Sequence, residues 1–571
     1  MYIFQKFKEE VKNFLLNQNV DVSQIVLELP PEGVAGDLAF PCFSQAKEKK
    51  ASPVKIAEEI ATKFVHGELI DKAVSAGPYV NFFADRIKFN NLVREEVIAA
   101  GQCFGSLESK NFRIGVEYLS PNSNKPLTIG HCRNGSLGKS LVEILKFSGY
   151  DVKSIILYND RGVHICKSML AYQKWGEGKT PDELGLKPDH LIGKFYIMFG
   201  QKAEADEGLN EEVQLMLKKW EEGDSEVIEL WKKMNGWFFE GVNQTLDRVG
   251  INFDKQYLES EIYLYGREIV EQALVDGKVY KLDDGAVEAD LSDVNLDKKI
   301  LLRNDGTTVY MVQDLYLAKK KIDDLKLDKS VYVVGSEQIY HFNVLFELLD
   351  RFGIMDKSKT YHLAYAMVNA ASGKKMSSRK GVGDKWDGLL DELHVLAREG
   401  IESRDGNLDQ DELERRSEII GQAALKFVML NQDVNKSINF NKQEALKFEG
   451  ETGPYLLYTL ARVNSILTKA GVKQDEIKIA ENENPELNEM ILQCSRFFEV
   501  VDKAGEEFNP SIVCHYLYKL SQLLNNFYHK YRVNDADTDE EKQSRAGMLF
   551  ITKQVLENGL KLLGIEYLEK M

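Results

Sequence analysis

The class of fold rests on the run Arg113-Ile-Gly-Val-Glu-Tyr-Leu-Ser120, on the loop Pro121-Asn-Ser-Asn-Lys-Pro-Leu-Thr-Ile-Gly-His131 that follows it, and on the segment Asp151-Val-Lys-Ser-Ile-Ile-Leu-Tyr158. The first and the last of these are short and apolar, as buried strands are. Between them, from about Gly130 to Phe147, the sequence predicts a helix. Two strands joined through a helix lie parallel in one sheet, so these residues predict a βαβ unit and a parallel sheet.

Four regions are expected around this unit, in a multidomain protein of the α/β plus α class. Residues 1–108 are predicted to form a small α+β domain. Residues 109–385 are predicted to form a Rossmann-type parallel-sheet domain, interrupted at about 175–275 by a helical insertion. Residues 386–445 are predicted to be a helical linker, and residues 446–571 an all-α domain.

Three further strands are expected outside the βαβ unit. The run Ser75-Ala-Gly-Pro-Tyr-Val-Asn-Phe-Phe83 is typical of a turn that leads into a strand, with Val80 and Phe82 buried. After the helical insertion, residues 299–303 and 330–335 are again strand-like. The alternation of strand and helix is therefore expected to resume there.

Composition indicates a soluble globular protein of three or four domains, since 571 residues are too many for one core. Hydrophobic residues make up 43% and charged residues 29%, and no apolar run approaches the ~18 residues of a membrane span. The first residues suit an amphipathic helix better than a signal peptide. The six cysteines contain no C-x-x-C pair, which argues against structural zinc and disulfides and favours a cytoplasmic location. They are Cys42, Cys103, Cys132, Cys166, Cys494 and Cys514.

The net charge of −17 argues mildly against a nucleic-acid partner, because phosphate contacts need Lys and Arg. It does not exclude one. A local basic surface is enough for binding, and an acidic remainder suppresses binding to the wrong nucleic acids.

The loop that ends at His131 is expected to bind phosphate. Ligands of a parallel sheet sit at the carboxyl ends of its strands, which is where this loop leaves the first strand. Gly130 permits close approach of the backbone, and the following helix offers N–H groups. His131 and Lys125 would add a hydrogen-bond donor and a charge that stabilise the phosphoryl oxygens.

A second phosphate-binding segment is expected in Gly373-Lys-Lys-Met-Ser-Ser-Arg-Lys-Gly381. Taken alone, such a basic run is most often a solvated surface loop. Its occurrence downstream of the histidine loop, on an α/β scaffold, makes a joint cradle for a nucleoside triphosphate the better interpretation. The loop would neutralise a pyrophosphate leaving group together with Mg²⁺.

These two segments resemble the HIGH and KMSKS signatures of class I aminoacyl-tRNA synthetases, and the surrounding residues resemble the arginyl-tRNA synthetases in particular. Two positions depart from the signatures: Thr128 replaces the first histidine, and Ser378 replaces the second lysine. Arginyl-tRNA synthetases commonly lack that lysine, and the resemblance implies that Lys125 supplies its charge. The catalytic residues that it implies are His131, Lys125 and Lys375. The implied ATP-binding residues are Lys125, Thr128, Gly130, His131, Gly335, Lys375, Ser377 and Ser378.

Arginine as the substrate calls for carboxylates that pair with a planar, permanently charged guanidinium. The stretch Arg303-Asn-Asp-Gly-Thr-Thr-Val-Tyr-Met-Val-Gln-Asp314 resembles the arginyl signature, and its Tyr310 and Asp314 would share one helix face. Glu259 matches the second guanidinium-binding acid of the family.

The α-amino and α-carboxylate groups of the substrate would be held by Asn122, then by Gln338, with Glu117 as a third candidate. A strand-end acid such as Glu117 often only caps a loop. Asp160 and His164 belong to a segment that also matches the family and are expected to shape the site.

The two ends of the chain resemble the tRNA-binding parts of the same family. Residues 1–108 contain segments like those of its amino-terminal domain, and 446–571 resemble its helical anticodon-binding domain, with 386–445 as a region that contacts the stem. Tyr455, Arg462 and Tyr528 have side chains of the type on which unpaired bases stack. Aromatic residues at helical spacing more often pack inward, so the domain is predicted rather than any single contact.

The reaction implied by the resemblance is attack of the arginine carboxylate on the α-phosphate of ATP, followed by transfer of the arginyl group to tRNA(Arg). ATP with Mg²⁺ is then the co-substrate, no resident metal or structural zinc is expected, and no editing domain is needed. A monomer in the cytoplasm is expected.

Two alternatives stay open at this point. One is a synthetase for another amino acid, such as cysteine or glutamate, although absent zinc ligands and the acids Glu259 and Asp314 disfavour these. The other is a synthetase-like protein that binds tRNA without activating an amino acid, against which His131, Lys125 and Lys375 argue, since such a protein needs no phosphate ligands.

Overall fold

The computed structural model of the chain describes residues 1–31, 33–370, 385–403, 408–473, 477–480 and 484–571. The expected phosphate ligands Lys375, Ser377 and Ser378 lie outside these ranges. None of the helices within them combines the length and the apolar composition that crossing a bilayer requires.

The helices of the described chain are α1 (Ile3–Asn17), α2 (Phe43–Lys49), α3 (Pro53–Thr62), α4 (Arg86–Ala100), α5 (Ile129–Phe147), α6 (Val163–Trp175), α7 (Pro188–Ala203), α8 (Gly208–Glu221), α9 (Ser225–Val249), α10 (Glu259–Ile262), α11 (Arg267–Val275), α12 (Tyr310–Leu325), α13 (Ile339–Arg351), α14 (Trp386–Glu402), α15 (Gln410–Leu430), α16 (Lys442–Ala445), α17 (Gly453–Ala470), α18 (Pro485–Ser495), α19 (Phe497–Glu506), α20 (Ser511–Lys530) and α21 (Asp539–Leu562). The strands are β1 (Leu38–Pro41), β2 (Ile70–Ala76), β3 (Tyr79–Ala84), β4 (Arg113–Glu117), β5 (Asp151–Tyr158), β6 (Lys255–Leu258), β7 (Tyr280–Lys281), β8 (Val287–Ala289), β9 (Lys299–Leu302), β10 (Lys329–Gly335), β11 (Thr360–Tyr365), β12 (Val368–Ala370) and β13 (Ile438–Phe440).

A five-stranded sheet with the order β11-β10-β4-β5-β6 forms the centre of the molecule, and all its pairings are parallel. The βαβ unit predicted from the sequence is confirmed as β4, α5 and β5. From β4 the chain first adds strands on one side and later, with β10 and β11, on the other. The strand order therefore reverses between β4 and β10, which is where an open α/β sheet binds its ligands.

The extent of the predicted helical insertion has to be corrected. Helices α7, α8 and α9 fill most of 175–275, but residues 255–258 within that range form β6, the edge strand of the parallel sheet. The sequence signal for β6 is weak because Lys255 and Gln256 are exposed and only Tyr257 is buried.

The strand predicted at 299–303 exists as β9, but it does not extend the parallel sheet. It belongs to an antiparallel sheet with the order β7-β8-β9. A tight turn at Gly285, whose φ is +96°, joins β7 to β8. A connection this short permits only antiparallel pairing.

The N-terminal region is an antiparallel sheet, β1-β3-β2, with helices α1 to α4 around it, as the α+β prediction requires. Val80 and Phe82 on β3 are both fully buried. From α14 onward the described chain is helical apart from β13, which pairs in parallel with β12. This pairing joins the end of the parallel-sheet region to the helical region.

Candidate active site

Thr128 and His131 form a capping interaction at the start of α5. The backbone N–H of Thr128 donates to His131 Nδ1 over 3.0 Å, and Thr128 Oγ1 lies 3.0 Å from the same nitrogen. Because Nδ1 accepts this bond, the neutral ring carries its proton on Nε2. Burial, with a smaller contribution from Lys125, lowers the pKa of His131 to about 4. At neutral pH the ring is therefore uncharged and offers one hydrogen-bond donor, Nε2.

A cavity of about 690 Å³ lies between the loop before α5 and helix α7. Its described lining residues include three lysines and two histidines but no Asp or Glu, so an anionic ligand is favoured. They are Asn122, Asn124, Lys125, Pro126, Thr128, His164, Leu186, His190, Gly193, Lys194, Tyr196, Ile197, Met198, Gln201 and Lys385. We call it the basic cavity.

Lys385 lies four residues after Gly381, the last residue of the predicted second phosphate loop, and residues 373–381 lie outside the described ranges. It forms an antiparallel bridge with Thr128, and the backbone N–H of Trp386 donates to the carbonyl of Leu127 over 3.0 Å. Residues 385 and 386, which come after the second predicted phosphate segment, are thus hydrogen-bonded to the loop before α5.

A second cavity, of about 650 Å³, opens beside the first and shares Asn122 and His164 with it. Three carboxylates and two guanidinium groups are among its lining residues, so we call it the acidic cavity. It is lined by Asn122, Leu157, Asn159, Arg161, Gly162, Val163, His164, Ile165, Leu217, Glu221, Glu259, Ile262, Arg303, Thr308, Tyr310, Gln313 and Asp314.

The structure brings four of the predicted arginine ligands, Asn122, Glu259, Tyr310 and Asp314, to this one cavity. Tyr310 is the first residue of α12 and is 75% exposed, and Asp314 follows one turn later on the same face. His341 Nε2 lies 2.8 Å from Asp314 Oδ2. One carboxylate oxygen of Asp314 therefore already has a partner, the imidazole of His341.

Glu259 is the first residue of α10. Burial raises the pKa of its carboxyl to about 7; the charge of Arg161 opposes this rise, and the charges of Asp160 and Asp314 add to it. A cation that entered the cavity would favour the ionised form.

Asp160 holds helix α10 in place through hydrogen bonds. It is buried, and its carboxylate accepts hydrogen bonds from the backbone N–H of Ser260 at 2.8 Å and from Ser260 Oγ at 2.7 Å. Its own carbonyl accepts from Trp231 Nε1 at 2.7 Å and from Asn235 Nδ2 at 3.0 Å. Asp160 thus ties α10, and with it Glu259, to helix α9. His164, the other expected shaping residue, lines both cavities and lies 3.1 Å from Tyr196 Oη.

Five of the predicted ligands within the described residues line neither cavity and stay predictions: Gly130, His131, Glu117, Gln338 and Gly335. Glu117 lies at the end of β4, but its carboxylate forms a buried ion pair with Lys321 of α12 and lines neither cavity. Its negative charge is thus matched by Lys321 inside the protein. Gln338 is exposed, Gly335 is buried at the end of β10, and neither lines the two cavities.

Arg161 is a cavity residue that the sequence reasoning missed. It lies between Asp160 and His164, in the segment that resembles the family, but nothing in the spacing predicts that it enters the cavity. Its guanidinium packs on the ring of Tyr263 and pairs with Glu221.

One group of possible metal ligands occurs among the described residues, namely Asp189, His190 and Asp387. The ammonium of Lys187 lies 2.8 Å from Asp387 and 3.3 Å from Asp189. The lysine already provides the cation that this group of acids requires, so we assign no metal to it.

The predicted tRNA-contacting side chains form a cluster between α17 and α20. The guanidinium of Arg462 lies 4.9 Å from the ring centroid of Tyr528, and its Nη1 donates to Asn525 Oδ1 at 3.2 Å. Asn525 Nδ2 in turn donates to the hydroxyl of Tyr455 at 3.0 Å. All four side chains are half-buried, so they contact one another and still reach the surface.

Comparison with known proteins finds three family models that match successive parts of the chain. The family described as "tRNA synthetases class I (R), catalytic domain" matches residues 95–441, the "Arginyl tRNA synthetase N terminal domain" matches 2–84, and the "DALR anticodon binding domain" matches 456–571. The first of these alone covers more than half of the chain.

Full-length relatives agree. The chain is 40% identical to the arginine–tRNA ligase of Treponema denticola, over 96% of this chain and 95% of the relative, and 39% identical to that of Borrelia turicatae, over 99% and 98%. Among solved structures, the arginyl-tRNA synthetase of Thermus thermophilus superposes with a TM-score of 0.83 at 25% identity, covering 99% of this chain and 100% of that one. The chain therefore belongs to the arginyl-tRNA synthetases, a family of class I aminoacyl-tRNA synthetases.

Proposed function

We propose that the two adjoining cavities carry out the reaction of this family, the ATP-dependent attachment of L-arginine to tRNA(Arg) through an arginyl-adenylate, with release of pyrophosphate and AMP. The observation that carries the proposal is the position of Glu259 and Asp314 in one cavity that shares Asn122 and His164 with a second, basic one. A cationic amino acid in the first would place its other end beside the anion in the second.

Recognition of arginine rests on the acids of the acidic cavity. Glu259 and Asp314 come from α10 and α12, so they approach a guanidinium from different elements. A planar fork of donors pairs with such carboxylates better than the point charge of a lysine does. Tyr310 would add a hydroxyl at the mouth, and Asn122, at the junction of the two cavities, would hold the α-amino group.

ATP would occupy the neighbourhood of His131 and Lys125. The carboxylate of the bound arginine attacks the α-phosphate in line, the bond to the pyrophosphate breaks, and the enzyme contributes no covalent nucleophile. His131 would donate from Nε2 to a phosphoryl oxygen, and Lys125 would lie beside it as a fixed charge. Thr128 and Gly130 would complete the loop around the phosphates.

The remaining predicted ATP ligands, Lys375, Ser377 and Ser378, stay part of the proposal on the strength of the sequence alone. Mg²⁺ would arrive with the phosphates of ATP, since it keeps most of its waters and is usually bound through substrate oxygens.

Transfer to tRNA would follow when the terminal ribose hydroxyl attacks the carbonyl of the adenylate. Residues 1–108 and 446–571 are the proposed tRNA-binding ends, and Arg462 with Tyr455 and Tyr528 is the proposed surface for unpaired bases. We propose a monomer that acts in the cytoplasm.

The test is ATP–pyrophosphate exchange with each of the twenty amino acids, with and without total tRNA. We expect exchange with arginine, and the sequence resemblance implies that tRNA is required for it. Exchange that is driven by another amino acid, glutamate or cysteine included, would overturn the proposal. Binding of tRNA without any exchange would favour the non-catalytic alternative.

A further inference from the structure

Arg161 is fixed in the acidic cavity by three contacts. Its guanidinium carbon lies 3.7 Å from the ring centroid of Tyr263 and 5.2 Å from that of Trp220, and its Nη2 lies 2.8 Å from Glu221 Oε1. The side chain is only 10% exposed. A guanidinium that is stacked and ion-paired in this way has little freedom to move.

Arg161 pairs with one of the three acids of the cavity and not with the other two. Among the described residues its ion pair is with Glu221, although Glu259 and Asp314 line the same cavity. If Arg161 reached Glu259, it would form the bidentate pair that a substrate guanidinium needs and would compete with the substrate. The two rings and Glu221 hold it away from that position.

The charge of Arg161 nevertheless acts on Glu259. A positive charge that lines the same cavity favours the ionised form of this carboxyl, whereas burial and the like charges of Asp160 and Asp314 disfavour it. Other titratable groups line the cavity or flank Glu259 in sequence. They are Glu221 on α8, Glu261 on α10, His164 on α6, Arg303 before α12, and Tyr310 on α12, while His341 of α13 contacts Asp314.

We propose that Arg161 is a positioning residue for arginine recognition: its immobilised charge, in the same cavity, favours the carboxylate form of Glu259 that a guanidinium needs, without occupying the guanidinium's place. This inference rests on the proposed function, since it takes Glu259 to be a ligand of arginine. It goes beyond that function because it assigns a role to a residue that does not bind the substrate.

The experiment measures the affinity of the full-length protein for L-arginine by isothermal titration calorimetry from pH 6 to pH 9. For the unaltered protein the affinity rises with pH through about pH 7, because arginine binds the ionised form of Glu259. Arg161→Met moves this rise to higher pH. If the pKa of Glu259 increases by about one unit, affinity at pH 7 falls about fivefold and the loss largely disappears at pH 9.

Two further variants separate charge from packing. Arg161→Lys keeps the charge and loses the planar stacking, so its pH profile stays close to that of the unaltered protein. Glu221→Gln removes the carboxylate that offsets Arg161, so its profile moves to lower pH. Glu221 is about half exposed, with 47% of its side chain accessible, and this variant tests the inference even if Arg161→Met does not fold. Arg415→Met, at an exposed ion-paired arginine of α15, is the matched control.

Three results would overturn the inference: an unshifted profile in both Arg161→Met and Glu221→Gln, a loss of affinity in Arg161→Met that is equal at every pH, or a profile of Arg161→Lys like that of Arg161→Met. Glu259→Gln distinguishes these from a failure of the proposed function. If Glu259→Gln binds arginine normally, Glu259 is not a ligand. If it loses affinity and its pH dependence while the Arg161 variants do not shift, only the inference fails.

Discussion

The backbone N–H of Thr128 donates to Nδ1 of His131 over 3.0 Å. This one contact determines which ring nitrogen carries the proton, because a nitrogen that accepts cannot also donate. It leaves Nε2 as the donor, and the low pKa of the ring, about 4, keeps it neutral at pH 7. A neutral donor stabilises a phosphoryl oxygen without losing its proton to it.

Replacing His131 with alanine is therefore expected to lower kcat of pyrophosphate exchange by about 10²- to 10³-fold, the usual loss when one fixed donor to a developing charge is removed. Arginine affinity should change little, because the imidazole does not line the acidic cavity. Steady-state kinetics and calorimetry with arginine measure the two effects.

Thr128→Val serves as the control for that change, since it removes the hydroxyl and keeps the backbone N–H that orients the ring. We expect a loss of less than about tenfold in kcat, the scale of one weak hydrogen bond. If His131→Ala instead weakens arginine binding at an unchanged kcat, the histidine has been given the wrong role.

Acid stability provides an independent test of the same ring. The folded pKa of His131 is lowered from the ordinary 6.5 to about 4, mainly by burial, so the folded state resists protonation there. Its contribution to the free energy of unfolding is fully present above pH 6.5 and is lost as the pH falls toward 4. His131→Gln should thus lose less stability than the unaltered protein over this interval.

Urea denaturation at a series of pH values measures that difference, and the titration of the ring is followed directly by NMR. A ring that titrates near pH 6.5 would contradict the prediction. So would identical pH dependence of unfolding in the two proteins.

Asp314→Asn is expected to raise the arginine KM by about one to two orders of magnitude, because a charge-assisted hydrogen bond contributes about 1.5–3 kcal/mol. The ATP KM should stay nearly constant, since Asp314 lines only the acidic cavity. The control is His341→Gln, which removes the 2.8 Å contact of the imidazole with Oδ2 of Asp314 and leaves the charge of Asp314. Equal increases in both KM values for Asp314→Asn would show that it is not a side-chain ligand.

The sequence was most informative where the signal is local. The strand, loop and helix that carry Thr128 and His131 follow one another directly, so the pattern alone was sufficient to predict the βαβ unit. The pairing of Tyr310 with Asp314 on one helix face is equally local. It needed only the spacing of four residues.

The sequence did not predict contacts between distant parts of the chain. Lys321, which neutralises Glu117, comes from a helix that begins far downstream, and no periodicity predicts that its ammonium reaches the end of β4. Strand β6 was missed because an edge strand with two exposed residues has almost no apolar signal. The position of Arg161 was not predicted because its partners are distant in the sequence. The ring of Tyr263 and the carboxylate of Glu221 come from other parts of the chain.

The cluster between α17 and α20 leads to the last prediction. Arg462 lies over the ring of Tyr528 and donates to Asn525, so its guanidinium plane is already oriented before any RNA arrives. If an unpaired base stacks on this plane, Arg462→Ala should weaken tRNA(Arg) binding about five- to 150-fold, since stacking contributes about 1–3 kcal/mol per base. Arg462→Lys should be nearly as weak, because it keeps the charge and loses the plane. Asn525→Ala, which removes the hydrogen bonds to Arg462, Tyr455 and Thr459 but keeps the guanidinium, should lose less. Fluorescence titration with tRNA at one fixed salt concentration measures all three, and arginine affinity should be unchanged in each.

Full affinity in Arg462→Lys would mean that the residue contacts phosphate rather than a base. Full affinity in Arg462→Ala would remove this cluster from the tRNA-binding surface.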